Sequence, residues 1–265
     1  MSADSSTGRP SDEEILAFSQ SIQDEATRDV PLVSDPEPVS TIGHAYGDGS
    51  LRVREKIRHL ATTAAATATT GDGFGWWCRT RGDGNCFYRA FATGLLADRS
   101  IGRDTLTAVL AGSSAVLDAG GFSPLVYEDF LDGFTRLVRR ARTVESVLAA
   151  MNEPEESNSA VVLLRFLTSA YVKAHPEGYA GYLLDGEVLT DWCERWIEAM
   201  GSEADNLQIN ALVNALGVTV QVAHLDGTDT ADGQANVVTV VPDAGGTSIG
   251  TVRVLYRPGH YDLLL

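Results

Sequence analysis

"RGDGNCFYRA" (residues 81–90) packs two glycines, an aspartate, an asparagine and a cysteine into five positions, then turns apolar. A lone thiol at that seam is either filler at the start of a helix or the group that the turn exists to present. By itself the stretch leaves both readings open. The first turn of a helix offers unpaired backbone N–H groups and the positive end of the dipole, and both favour a thiolate at Cys86. A free cysteine titrates near about 8.5, and such surroundings plus a histidine lower that value by several units. Asn85 or Asp83 is expected to cap this helix. Gly82 and Gly84 let the backbone turn tightly and approach a bound carbonyl. The amides of Asp83, Gly84 and Asn85, together with that of Cys86, are thus candidate oxyanion donors. Phe87, Tyr88, Ala90 and Phe91 are expected to anchor the helix in the core.

A cysteine nucleophile also needs a base and a group to orient it. His44, His59 and His175 read as surface residues. His224 continues the apolar face of Val218, Val220 and Val222 and reads as a packed strand residue. His260 differs, because "RPGHYD" places Asp262 two residues further on. Residues i and i+2 of a strand point to the same side, so that carboxylate can lie beside the imidazole and orient it.

Outward from these two pieces, the chain reads as helices first and a sheet collected at the end. A helix is expected from Leu51, with Leu51, Val53, Ile57 and Leu60 at three- and four-residue spacing. "FGWWCRTR" (74–81) reads as a strand. Helices are expected at about 103–118, 125–141, 144–151 and 157–174. Another lies in "DWCERWIEAM" with Thr190 as its N-cap, and a further one in "EADNLQINALVNALG" with Gly217 as the left-handed residue after its end. "VTVQVAHL", "VVTVV", "TVRVLYR" and "HYDLLL" read as strands. The order predicts an α+β fold.

The chain has 265 residues, 44% of them apolar, which is material for one large domain. Residues 1–45 are rich in Ser, Asp, Glu and Pro and are expected to be a flexible acidic tail with one short helix near Glu13–Ser19; the folded domain is then 46–265. The net charge of −16, with only Lys56 and Lys173 as lysines, argues against nucleic-acid binding. No apolar stretch approaches the roughly 20 residues that span a bilayer, and the N-terminus lacks a secretory pattern. Three cysteines do not make a disulfide framework, so a reducing compartment, cytoplasmic or nuclear, is expected. Cys78 and Cys193 lack the spacing of a zinc site, and neither a metal nor a cofactor is implied.

"TRGDGNCFYRAF" and "LYRPGHYDLLL" resemble the two signature blocks of the otubain group within the ovarian-tumour (OTU) cysteine proteases. Intervening segments, among them "GFSPLVYEDFLDGFTRLV" and "SAVVLLRFLTSAYV", are similar in order and spacing, so the resemblance runs from about Leu51 to Leu265. It implies a papain-like fold with a mixed sheet flanked by a helical region, and deubiquitinase activity on ubiquitin and polyubiquitin chains. Cys86 is then the nucleophile, His260 the general base and acid, and Asp262 the orienting residue. Asp83 occupies the motif's first aspartate, which helps to shape the oxyanion site. The alternative is a non-catalytic regulator that binds ubiquitin or a ubiquitin-conjugating enzyme. Residues 97–120 and 226–247 match less well. Trp76, Trp77 and Tyr261 are candidates to line a narrow channel for the two glycines that end ubiquitin, against the plainer reading of such aromatics as core.

Overall fold

A computed structural model describes residues 27–45, 51–67, 74–184, 186–230, 233–243 and 248–265, together with Phe18, Ser21 and Glu25. The first strand, β1 (Glu37–Pro38), leads through a 3-10 turn (Val39–Thr41) to helices α1 (Ile42–Ala45) and α2 (Leu51–Thr67). Strand β2 (Trp76–Cys78) precedes α3 (Cys86–Ala97). The helical region continues as α4 (Arg103–Ala119), α5 (Pro124–Arg140), α6 (Val144–Met151), α7 (Pro154–Ala174) and α8 (Pro176–Tyr179). Helix α9 (Leu189–Cys193) runs into a π-helical turn at Glu194–Glu198, and α10 (Asn206–Leu216) follows. The chain closes with β3 (Thr219–His224), β4 (Asn236–Val240), β5 (Thr251–Arg257) and β6 (His260–Leu264).

The strands form one six-stranded sheet in the order β1-β2-β6-β5-β3-β4. Only β3 and β5 run parallel; the other neighbours are antiparallel. The final strand therefore sits in the interior of the sheet, between β2 and β5, and all five of its residues are buried. One face carries the main core, built with α3, α4, α5, α6, α7 and α10. The other face carries a second cluster, in which Val39 and Ile42 join Ile57 and Leu60 of α2 and the later Phe74 and Trp77. Burial on both faces means that β6 carries His260 and Asp262 into the interior along with Tyr261, Leu263 and Leu264. The α+β expectation holds.

Helix α3 lies directly against β5 and β6. A Cβ on Gly94 would come within 2.9 Å of both Leu263 and Val252, so glycine sets how closely helix and sheet approach. Phe87, Tyr88, Ala90 and Phe91 are all buried, as expected. Helix α10 has a capping box from Asp205 and Gln208 and ends at left-handed Gly217, φ 65°. Thr190, by contrast, lies inside α9, whose N-cap position is Val188.

The N-terminal segment departs furthest from expectation. Leu32, Val33, Val39 and Ile42 are buried, and β1 pairs with β2. Ser34 N donates to Arg79 O (2.8 Å), and Arg81 N to Leu32 O (3.0 Å). Asn152 accepts from Val33 N and donates to Val33 O. The boundary of the folded unit therefore lies before Leu32 and not at 46. Polar composition hides this because a few apolar residues, well spaced, suffice to dock an edge segment. The helix expected near Glu13–Ser19 lies outside the described residues apart from Phe18.

Candidate functional site

The turn between β2 and α3 places Cys86 at the first residue of α3, beside β6. Cys86 is nearly buried and lines a cleft of about 310 Å³ with Glu203, Ala204, Asp205, Tyr256, Gly259 and Tyr261. Of the aromatics considered for such a channel, only Tyr261 lines it. Trp77 is core, with its Nε1 donating to Thr41 Oγ1, while Trp76 is half exposed on β2.

His260 and Asp262 arrive together on β6. His260 Nε2 and Asp262 Oδ1 are 2.9 Å apart. The same Oδ1 accepts from Thr80 N at 2.9 Å, and Thr80 Oγ1 donates to Tyr261 O. Arg257 Nε stands 3.9 Å from Asp262 Oδ2. With Nε2 engaged by Asp262, Nδ1 is the ring nitrogen left to serve Cys86. Burial opposes protonation of this ring. The hydrogen bonds and charges of Asp262 and Cys86 outweigh it and raise the imidazole to about 9.

The glycine turn has two parts with different reasons. Gly84 is left-handed, φ +73°, and a Cβ on it would lie 1.9 Å from Gly201 O, so no other residue fits. Gly82 has no such backbone need; a Cβ there would stand 3.6 Å from His260 Nδ1. Its lack of a side chain leaves room beside the imidazole.

Neither expected cap serves α3, because Asn85 occupies the N-cap position without a side-chain capping bond. Its Oδ1 instead accepts from Gly201 N (3.0 Å) and Arg165 Nη2 (2.8 Å). Asp83 does not line the cleft. Its Oδ1 accepts from Asn85 N (3.0 Å) and from Arg89 Nη1 (2.8 Å). Burial pushes this carboxyl up, but the bond and charge of Arg89 and the bonds from Asn85 hold it below the usual carboxylate range. Because Asn85 N–H is turned to Asp83, it is withdrawn as an oxyanion donor; the Asp83, Gly84 and Cys86 amides remain candidates.

Two residues that the sequence reading passed over organise this loop. Arg89 and Arg165 are both fully buried. Arg89 joins Asp83 to Ser157 and Asn158 of α7. Arg165 reaches from α7 to Gly84 O and Asn85 Oδ1. The available signal was an arginine within a helix that is apolar on every side, as in "CFYRAFATGLLA". The other cysteines are inert by environment. Burial, then Asp35, Asp262 and Glu37, pushes the Cys78 thiol up to about 12, and burial pushes Cys193 to about 11.

Residues 25–265 match the model of the peptidase C65 otubain family. The human ubiquitin thioesterase OTUB1 is 32% identical over 259 residues, covering 96% of this chain and 90% of the relative. The Caenorhabditis elegans otubain-like ubiquitin thioesterase is 30% identical over 263 residues, covering 96% and 88%. Among solved structures, h/ceOTUB1 with ubiquitin aldehyde and UBCH5B~Ub superposes with a TM-score of 0.79 at 30% identity, covering 96% of this chain and 97% of the other. The ceOTUB1–ubiquitin aldehyde–UBC13~Ub complex gives 0.76 at 28% identity, covering 96% and 99%. The signature blocks around Cys86 and His260, the sheet that joins them and this end-to-end likeness have one explanation: the chain belongs to the peptidase C65 otubain family of cysteine proteases.

Proposed function

We propose that this chain is a thiol-dependent ubiquitin hydrolase that cuts isopeptide bonds at the C-terminal glycine of ubiquitin, with Cys86, His260 and Asp262 as its triad. The observation that carries the reading is the His260–Asp262 pair, 2.9 Å apart on the strand whose neighbours Gly259 and Tyr261 line one cleft with Cys86. The Cys86 thiolate attacks the glycine carbonyl carbon, and the carbonyl oxygen becomes an oxyanion beside the Asp83, Gly84 and Cys86 amides. His260, protonated, gives its proton to the leaving lysine amine as the C–N bond breaks, leaving a thioester. Water, losing a proton to His260, then attacks the thioester and releases the ubiquitin carboxylate and the thiol. Asp262 keeps the ring oriented and supports its positive charge. Asp83 holds the loop through Arg89 and does not touch the reacting atoms.

Tyr261, Tyr256 and Gly259 line the cleft beside Cys86 and are the residues that would flank a terminus of two glycines. Free thiols accord with a reducing compartment, cytoplasmic or nuclear. The test is hydrolysis of a panel of di-ubiquitins. Release of mono-ubiquitin, lost in Cys86→Ala, supports the reading; an inactive wild type that still binds ubiquitin contradicts it. A second reading, a regulator of ubiquitin-conjugating enzymes, takes support from similar structures solved with UBCH5B~Ub and UBC13~Ub. Under it, Cys86→Ala retains binding to a charged conjugating enzyme.

A further inference from the structure

Arg165 sits in mid-α7 within "SAVVLLRFLTSA", fully buried. No carboxylate among the described residues pairs with it; its guanidinium donors go to uncharged oxygens, and its Nε has no hydrogen-bond partner. A buried cation without a counter-ion destabilises a fold, and an apolar side chain of similar volume would serve packing better. The position therefore calls for another explanation, and the geometry supplies one.

Nη1 donates to Ile197 O at 2.8 Å. Nη2 stands among Ser202 O (2.7 Å), Gly84 O (3.1 Å) and Asn85 Oδ1 (2.8 Å). The Tyr88 ring lies under the guanidinium, 4.5 Å from its centroid. Two segments that share no secondary structure thus meet on one side chain. The first, Gly84–Asn85, immediately precedes Cys86. The second, 197–202, leads into Glu203–Asp205 of the opposite cleft wall. Gly201 N donating to Asn85 Oδ1 closes the same ring of contacts.

We propose that Arg165 is a positioning residue for the oxyanion-binding loop, fixing the Gly84–Asn85 peptide plane so that the amides around Cys86 need not reorganise during the reaction. This rests on the reading of Cys86 as nucleophile. The Gly84 carbonyl is drawn to Arg165 while Asn85 N–H is drawn to Asp83, so the peptide between them is held at both ends. Fixed donors are what make oxyanion stabilisation effective. Burial lowers the guanidinium's own proton affinity, opposed by the charges of Tyr88, Asp83 and Cys86. By reciprocity its field favours negative charge at the Cys86 end of the cleft.

The test compares binding of ubiquitin aldehyde with binding of plain ubiquitin. The aldehyde adds a hemithioacetal whose oxygen occupies the oxyanion position, so the ratio of the two affinities reads the loop and not the fold. Arg165→Lys keeps the charge and loses the planar fork. It is expected to lower the aldehyde preference by about 10²-fold, the scale of one oxyanion donor, with plain ubiquitin binding nearly unchanged. An unchanged preference, or equal loss of both affinities, overturns the proposal and leaves Arg165 a structural residue. Where Arg165→Lys does not fold, Asn85→Ala removes the side-chain link from the loop side. The same loss of preference is expected, and an unchanged one again overturns the proposal. A wild type with no preference for the aldehyde overturns the nucleophile reading itself.

Discussion

His260 Nε2 and Asp262 Oδ1 lie 2.9 Å apart on a strand buried along its whole length, and Thr80 N donates to the same oxygen. The carboxylate is thus fixed from two directions before any substrate arrives. Asp262→Asn should retain the Thr80 contact while losing the charge that supports an imidazolium. We expect kcat/KM on a ubiquitin C-terminal amide to fall by about 10²–10⁴-fold, with a larger loss in His260→Ala. Equal, complete losses would mean that Asp262 does more than orient the ring.

The pH dependence follows from the same pair. Imidazole protonated in the folded state up to about 9 can supply the proton that the leaving amine requires. Activity should decline as pH rises through about 9, and in Asp262→Asn that alkaline limb should move toward lower pH. Stability has the matching sign. Between the unfolded value of 6.5 and about 9, the folded state binds a proton that the unfolded state has released. The contribution of His260 to stability is complete below 6.5 and is lost as pH rises through that window. Denaturant midpoints of wild type and His260→Gln across this range check it; a wild-type midpoint that rises relative to the variant would contradict the sign.

The two glycines of the opening motif should separate cleanly. Gly84→Ala forces a Cβ to 1.9 Å from Gly201 O in a left-handed backbone, so loop and wall must part. A displacement of about 1 Å near reacting atoms lowers turnover by about 10²-fold or more. Gly82→Ala meets its nearest neighbour at 3.6 Å, so the fold should tolerate it. Melting curves and single-turnover rates for the pair distinguish these outcomes.

Removing residues 1–45 should destabilise the domain. Val33, Val39 and Ile42 are almost inaccessible, and each large apolar side chain contributes about 1.5–3 kcal/mol when buried. A clear fall in the denaturant midpoint is expected; an unchanged midpoint would return this segment to the status of a tail.

That segment also marks where sequence reading ran out. Alternation in "TVRVLYR" and the helix end at Gly217 announce themselves because period and turn chemistry are written in neighbouring residues. The spacing of His260 and Asp262 was legible for the same reason. β1 is two residues long and contains a proline, so its pairing depends on β2, a partner distant in sequence. The role of Asn85 likewise turned on a distant partner, since Arg165 draws its side chain away from capping. Buried arginines carry no periodic signature; only their contacts reveal their use.

The most direct measurement is labelling by ubiquitin carrying an electrophilic C-terminus, followed by peptide mapping. We expect one adduct on Cys86, absent from Cys86→Ala, with Cys78 and Cys193 untouched because burial raises their thiols to about 12 and 11. A folded wild type that binds ubiquitin but forms no adduct, or an adduct that persists in Cys86→Ala, would contradict the assignment of Cys86 as the nucleophile.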